Sequence, residues 1–315
     1  MAPLNPTQSL TPKSHQVFLA GLGRMGSLHL SHILTRSDCE LVGCFDPDPQ
    51  RLEVLPQGIA RTTDFSEALS WTFDTAVVAA PTQAHAPTVL PLLAKGVHTL
   101  VEKPIAGTVA QAREMVDAAK EGGLALMVGH IERHNPMIQT LARLLETLPP
   151  PRLVSATRLA PRPGRIVGDG IILDSLIHDV DILAQLFGKL TLREGVGTQG
   201  PDGSPDAARL SLRAGDTTAH LFSSWRTERR HRTLSVLTED ALLLGDYIAQ
   251  TLLKYPLQGG HPESLVESPP HGEDNLDRQL SVFLERTKHP SPPQEPLDGL
   301  EIVLEATESL TSVSS

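Results

Sequence analysis

Val17-Phe18-Leu19-Ala20 runs without a break into Gly21-Leu22-Gly23-Arg24-Met25-Gly26. An apolar strand, a G-x-G-x-x-G loop and a helical pattern over Met25–Leu34 form the kind of junction that cradles a dinucleotide pyrophosphate. Gly21 permits the tight turn, Gly23 lets backbone approach the phosphates, and Gly26 lets the helix pack closely on the strand. The amides at the helix N-terminus then face the anion. Alone, the pattern also fits an ordinary glycine turn. What distinguishes it is a second strand, Glu40–Phe45, ending in Asp46, 25 residues after Gly21. An acid there accepts hydrogen bonds from the adenosine ribose and repels a 2′-phosphate. NAD is therefore expected over NADP, with Arg51 as the cation that would tolerate the phosphate.

Outward from this junction, further strands are expected at Thr75–Ala80, His98–Val101 and Ala125–Val128, with a helix at Val109–Lys120. Strand–helix alternation requires right-handed crossovers and a doubly wound parallel sheet, an α/β Rossmann fold. The pattern changes at Gly129. Asn135-Pro136 caps a helix over Met137–Leu148, which Pro149-Pro150-Pro151 ends. Strand-like runs follow at Leu153–Leu159, Ala208–Leu212, Thr218–Trp225, Thr233–Thr238 and Ala241–Tyr247, interrupted by one helix, Asp174–Phe187. Short strands linked by turns predict an α+β domain with a mostly antiparallel sheet. Pro256–Gly272 is rich in Pro, Gly and Ser and reads as a long surface loop. Helices at Asp274–Arg286 and Asp298–Leu310 follow. Two domains are expected: 1–129, binding NAD, with 1–14 as a flexible arm, and 130–315, binding substrate and mediating self-association.

The composition narrows the class. Hydrophobic residues make up 40% of the 315 and charged residues 20%, enough for packed soluble domains. A net charge of −10 with only 3% aromatics argues against nucleic-acid binding. No apolar run approaches the ~18 residues of a membrane span, so no membrane partner is expected. Met1–Gln16, with three prolines and no apolar run, reads as a ragged arm and not a signal peptide. Cys39 and Cys44 share one strand and stand ~16 Å apart. That exceeds the ~7 Å limit for a disulfide. A cytoplasmic protein is expected.

Three further segments carry a resemblance. Val78-Ala79-Ala80-Pro81-Thr82-Gln83-Ala84-His85 resembles a strand end that flanks the nicotinamide ribose. Glu102-Lys103-Pro104-Ile105-Ala106 resembles an E-K-P motif. Gly170-Ile171-Ile172-Leu173-Asp174-Ser175-Leu176-Ile177-His178-Asp179-Val180-Asp181 resembles a D-x-G-x-H-x-x-D helix. In this order, with the glycine loop, the chain resembles the Gfo/Idh/MocA oxidoreductases over nearly its whole length. The resemblance implies a Rossmann domain, a second domain with an open-faced sheet, and hydride transfer between nicotinamide and a sugar or cyclic polyol. Cofactor contacts are then expected from Gly21, Leu22, Gly23, Arg24, Met25, Gly26, Asp46, Ala80, Pro81, Thr82, His85, Glu102 and Lys103. Leu176 departs from the family's frequent glycine or small residue there, and its bulk is expected to narrow the substrate pocket or tilt the helix.

The residues support chemistry of their own. Asp174, His178 and Asp181 stand at i, i+4 and i+7, on one helix face, and Leu176, Val180, Leu183 and Phe187 form an apolar stripe opposite. The polar stripe fits a solvated surface, a metal site or an acid–base site. Oxidising a secondary alcohol needs a proton acceptor and a group that stabilises the developing oxyanion. His178 near its ordinary pKa, oriented by Asp174, can take the proton. Lys103 can polarise the oxygen, or serve as the base itself. Lys103, Asp174 and His178 are the candidate catalytic set.

Three segments bear on the substrate. Gly129-His130-Ile131-Glu132-Arg133-His134-Asn135-Pro136, the stretch around Arg158, Arg162, Pro163 and Arg165, and Asp246-Tyr247-Ile248-Ala249-Gln250 resemble a branch of that family acting on UDP-linked amino sugars. Arginines suit a diphosphate, though they also suit a plain surface, and Asn135 also suits a plain helix cap. Arg133, Asn135, Arg162 and Arg165 join Lys103, Asp174 and His178 as candidate substrate contacts. His130 and His134 lack the H-E-x-x-H pattern of a zinc helix, and no metal is expected. His29 and His32 read as solvated helix residues. A sugar or sugar-nucleotide substrate and a homodimer or homotetramer are expected. The rival readings are a free-sugar or inositol dehydrogenase and a non-catalytic NAD(H)-binding regulator.

Overall fold

The computed structural model describes residues 15–164, 170–266, 274–289 and 297–312. Among these, one compact unit takes in 15–101, 118–127 and 283–289, and a second takes in the remainder.

The first unit is built on six strands: β1 (His15–Ala20), β2 (Cys39–Phe45), β3 (Ala60–Thr62), β4 (Thr75–Val78), β5 (His98–Glu102) and β6 (Leu126–Gly129). Their order is β3-β2-β1-β4-β5-β6, and β3, β2, β1, β4 and β5 pair parallel. Val17, Phe18, Leu19, Val77, Val78 and Val101 are fully buried, as strands covered on both faces must be. Phe18 stacks on Phe73 with ring centroids 4.7 Å apart, and Trp71 meets Phe18 edge-on. The chain winds outward from β1 to β3 and then returns to β4. The sheet therefore reverses direction between β1 and β4, and a crevice opens at the carboxyl ends of these two strands.

The second unit holds a nine-stranded sheet: β7 (Leu153–Pro161), β8 (Thr191–Gln199), β9 (Pro205–Ala214), β10 (Thr217–Ser224), β11 (Arg226–Leu237), β12 (Ala241–Asp246), β13 (Thr251–Pro256), β14 (Glu263–Val266) and β15 (Thr311–Ser312). The order is β14-β13-β12-β11-β7-β10-β9-β8-β15, antiparallel except for the β7–β10 and β8–β15 pairs. Strict alternation divides the faces. Val154, Ala156, Leu210, Leu221, Leu234, Val236 and Leu243 are buried on one side. Phe222, Leu244 and Leu153 stand well exposed on the other, leaving that face open.

Several expectations change. The long loop at 256–272 is shorter, because Pro256 closes β13 and Glu263–Val266 forms β14; residues 267–272 lie outside the described residues, as does the arm 1–14. β8 escapes the reading because Thr191–Gln199 mixes charges with two glycines. Gly197 is needed for packing, since an added Cβ would lie 2.7 Å from Leu310 Cδ2. His29 is fully buried, not solvated, since it shares the buried face of its helix with Gly26, Leu30 and Ile33. The helix expected at Asp174–Phe187 begins with a π-helical turn, Ile172–Leu176, and continues as an α-helix, Ile177–Phe187. Leu176 is fully buried, so its bulk fills the core.

Candidate active site

The first unit supplies the nucleotide loop. β1 turns at Gly21 with φ +93°, and an added Cβ there would lie 2.7 Å from Ala79 O. At Gly26 it would lie 1.9 Å from Gly21 O. These two glycines close the loop on itself. Gly23 differs: an added Cβ would meet only Arg51 Nη1, at 3.6 Å. Its missing side chain leaves clear space over the first turn of helix Arg24–Thr35. That helix has Gly23 at its N-cap and no side-chain cap, so its first amides await an outside acceptor. The cradle fits a pyrophosphate.

Asp46 is 1% exposed. Its Oδ2 accepts from Leu22 N at 2.7 Å and its Oδ1 from Asp48 N at 2.9 Å. It thus ties the glycine loop to the end of β2, and its carboxylate retains lone pairs for a ribose. Arg51, half-exposed, reaches within 3.6 Å of Asp46 Oδ2. At the end of β4, Ala80 and Pro81 lead into a 3-10 turn, Thr82–Ala84, and helix His85–Ala94. His85 is buried, and its Nε2 lies 2.9 Å from Ala80 O, which pins that turn.

The second unit holds Lys103, Asp174 and His178, the candidate catalytic residues. Glu102 ends β5 and is buried; its Oε2 accepts from Lys103 N at 3.3 Å. The Lys103–Pro104 peptide is cis. Lys103 Nζ donates to the main-chain oxygen of Asp174 at 2.7 Å and to Asp174 Oδ1 at 3.2 Å. Asp174 is presented by the π-helical turn, which is itself pinned to β10: Ser223 Oγ donates to Ser175 Oγ at 2.8 Å. One turn on, His178 has Nδ1 enclosed without a partner. Burial, then Lys103, Arg158, His130 and Arg232, push its pKa well below 6.5. This corrects the expectation of an ordinary pKa: partial burial, with Lys103, Arg158, His130 and Arg232 nearby, keeps the ring neutral.

Asp181 does not join this pair. It is 4% exposed and takes a bidentate bond from Arg133, with Nε to Oδ2 at 2.8 Å and Nη2 to Oδ1 at 2.6 Å. The π turn winds with more residues per turn, so the i, i+4, i+7 stripe of a regular helix is broken at Asp174. Arg133 is therefore held in an internal ion pair. Asn135 is fully buried and both ends of its amide are engaged: Oδ1 caps Met137 N at 3.1 Å, and Nδ2 donates to Tyr247 O at 3.0 Å. Its position is that of a helix cap. Arg162 pairs with Asp202 at 2.6 Å and lies over Trp225. Arg165 lies outside the described residues.

A buried charge cluster underlies His178. Arg158, 3% exposed on β7, donates from Nε to Asp179 Oδ2 at 2.8 Å and from Nη1 to Glu132 Oε1 at 2.9 Å. Its guanidinium stacks on Tyr247 at 4.5 Å. Burial opposes its charge, but Asp179 and Glu132 outweigh that and hold it protonated. The three segments singled out above, around Glu132, Arg158 and Tyr247, thus meet in one cluster. Their signal in the sequence is Arg158 itself, in step with buried Val154 and Ala156 at the strand period.

The relatives agree with this architecture. A family model described as an oxidoreductase family with an NAD-binding Rossmann fold matches residues 15–130. A UDP-N-acetylglucosamine 3-dehydrogenase from Acidithiobacillus ferrooxidans is 30% identical over 239 residues, 75% of each chain. A myo-inositol dehydrogenase from Streptomyces leeuwenhoekii is 29% identical over 226 residues, covering 67% of this chain and 69% of that one. Among solved structures, that Acidithiobacillus enzyme superposes with a TM-score of 0.84 at 24% identity, covering 94% and 98% of the two chains. A 3-ketoreductase from Actinomadura kijaniata, in complex with NADP and TDP-benzene, superposes at 0.83 with 17% identity, covering 96% and 99%. At these identities the two superpositions speak for the fold. The glycine cradle, the parallel sheet and the open-faced second sheet define a Rossmann oxidoreductase. The chain belongs to the Gfo/Idh/MocA oxidoreductase family, and no helix among its described residues is long and apolar enough to cross a membrane.

Proposed function

We propose that the protein is an NAD-dependent dehydrogenase that oxidises a secondary hydroxyl of a nucleotide-linked amino sugar, with Lys103, Asp174 and His178 as its catalytic residues. The observation that carries this reading is the Lys103–Asp174 contact. Two of the three ammonium donors point into Asp174, which leaves the third for a substrate oxygen. Residues 1–129 take the cofactor role and 130–315 the substrate role.

A bound nicotinamide dinucleotide supplies the hydride acceptor. The chain's residues handle the proton and the oxygen. Lys103 donates a hydrogen bond to the reacting oxygen and stabilises the negative charge that develops as hydride departs. His178, neutral, accepts the hydroxyl proton at Nε2, which requires its own proton on Nδ1. Asp174 holds Lys103 in place. Asp46, at the end of β2, supports NAD, while Arg51 beside it is the group that would accept a 2′-phosphate. The UDP-sugar relative and the Glu132–Arg158–Tyr247 cluster support a sugar nucleotide over a free polyol. The open sheet face supports self-association into a dimer or tetramer.

The test is single-turnover reduction of bound NAD, followed by nicotinamide absorbance, with UDP-N-acetylglucosamine as substrate and enzyme in excess. Reduction supports the reading. Reduction only by inositol or a free sugar replaces the substrate class. Silence with every polyol, in protein shown to hold NAD, replaces the enzyme reading by a regulatory one.

A further inference from the structure

The stretch Arg226–Arg232 (R-T-E-R-R-H-R) carries four arginines and one glutamate in a chain of net charge −10. It opens β11, and there β11 parts from its neighbour. Arg226 pairs with Pro161 and His231 with Leu159, so four residues of β11 stand against one of β7. A bulge of this kind re-aims the side chains it carries. Glu228, Arg229, Arg230 and His231 are exposed. Arg226 is held by Asp206 at 3.0 Å, but Arg229 and Arg230 have no ion pair among the described residues.

At the foot of the bulge, Arg232 has Nη1 3.4 Å from Glu132 Oε1, an oxygen that already accepts from Arg158 at 2.9 Å. Burial, Arg158 and Arg230 all push the Arg232 guanidinium down, against the pull of Glu132. Arg158 Nη2 is buried and lacks an acceptor. Two guanidiniums thus share one carboxylate oxygen, with the unpaired Arg230 close enough to repel one of them. Such a gathering lacks an anion.

We propose that this bulge, through Arg230 and Arg232, is the phosphate subsite that binds the diphosphate of a nucleotide-linked sugar. The inference rests on the sugar-nucleotide reading above and relocates its anion contact. Arg133 and Arg162, the arginines expected from sequence, are held by Asp181 and Asp202. Guanidinium forks match phosphate oxygens two at a time; Arg230 has no ion pair among the described residues and Arg232 has a 3.4 Å share of an oxygen that Arg158 already occupies, so both suit a diphosphate. Arg232 shares Glu132 Oε1 with Arg158, and Arg158 pairs with Asp179, the residue after His178, so one run of contacts links this subsite to the turn that carries His178.

The experiment is calorimetric titration of the NAD-loaded protein with UDP, in wild type, Arg230→Ala and Arg230→Glu. NAD loading keeps UDP out of the glycine loop, and NAD affinity reports folding. Arg230 is exposed and unpaired, so its loss leaves the buried cluster intact. The expected result is UDP binding in wild type, weakened about 10-fold in Arg230→Ala and further in Arg230→Glu, with NAD affinity unchanged. Equal UDP affinity in all three proteins overturns the subsite while leaving the sugar-nucleotide reading standing. A wild type that ignores UDP yet reduces NAD with a free sugar overturns both.

Discussion

Lys103 Nζ lies 2.7 Å from the main-chain oxygen of Asp174 and 3.2 Å from its carboxylate, although 71 residues separate the two in the chain. The contact joins the residue that follows a Rossmann strand to a π-helical turn braced by Ser223. Under the proposed chemistry, Lys103→Met lowers the single-turnover rate by about 10²-fold or more, because the oxyanion loses its charged donor. NAD affinity stays within a factor of about two, and equilibrium fluorescence titration of NAD checks it. An undiminished rate would remove Lys103 from the mechanism.

The glycine loop separates two effects of adding one methyl group. Gly26→Ala places a Cβ 1.9 Å from Gly21 O and is expected to disrupt the loop and lower Tm. Gly23→Ala meets only the flexible tip of Arg51, so the protein should keep its Tm while losing NAD affinity. Calorimetric melting and NAD titration of both variants decide the point; equal losses of Tm would sink the distinction.

His178 is held well below its ordinary 6.5 by burial, then by Lys103, Arg158, His130 and Arg232. The unfolded chain therefore binds a proton that the folded chain refuses. Stability is intact above pH ~6.5 and falls as the pH drops toward the folded value, at most by about 1.4 kcal/mol per pH unit. His178→Gln should make the urea midpoint less dependent on pH between 8 and 5.5. The groups that act on His178 are Lys103 after β5, Arg158 on β7, His130 after β6 and Arg232 on β11; Asp179 and Asp181 lie on its own helix and Asp174 on the π turn before it. A diphosphate on Arg230 and Arg232 offsets one of these cations, Arg232, so UDP should raise the His178 titration midpoint in NMR. A midpoint that ignores UDP would contradict this coupling.

Arg158→Met leaves Asp179 buried without its cation and Glu132 with the longer Arg232 contact at 3.4 Å. The expected cost is about 3–5 kcal/mol, read as a lowered urea midpoint. Adding Asp179→Asn should recover part of it, because burial already pushes the Asp179 carboxyl upward. No loss in Arg158→Met would show that water reaches the cluster.

Phe222 and Leu244 stand 40% and 37% exposed on the open sheet face. If that face is covered by a second copy, Phe222→Glu with Leu244→Glu yields a monomer by light scattering while NAD affinity persists. An unchanged mass would place self-association elsewhere.

Much of the fold is local and was legible as such. Apolar runs placed β1, β2, β4, β5 and β6 within two residues or so of their ends, because strands buried on both faces must be continuously apolar. The glycine loop was legible for a similar reason: Gly21 and Gly26 answer to backbone a few residues away or on the next strand. β8 and β14 were not, since glycines, charges and turn residues there serve packing against Leu310 or a sheet edge and not the strand period.

By itself the sequence determined the strand–loop–helix junction, the acid after β2, and the presence of Lys103, Asp174 and His178 in family order. Local geometry and residue chemistry suffice for these. Only the tertiary structure decided which charges meet. A π-helical turn, invisible to a periodicity of 3.6, sent Asp174 to Lys103 and left Asp181 to Arg133. Strand pairing over long separations drew Arg158 to Glu132, Asp179 and Tyr247, and held Arg133 and Arg162 in ion pairs. Which arginine remains for an anion depends on which carboxylates arrive beside it, and that is settled by burial and register, not by the residue's name.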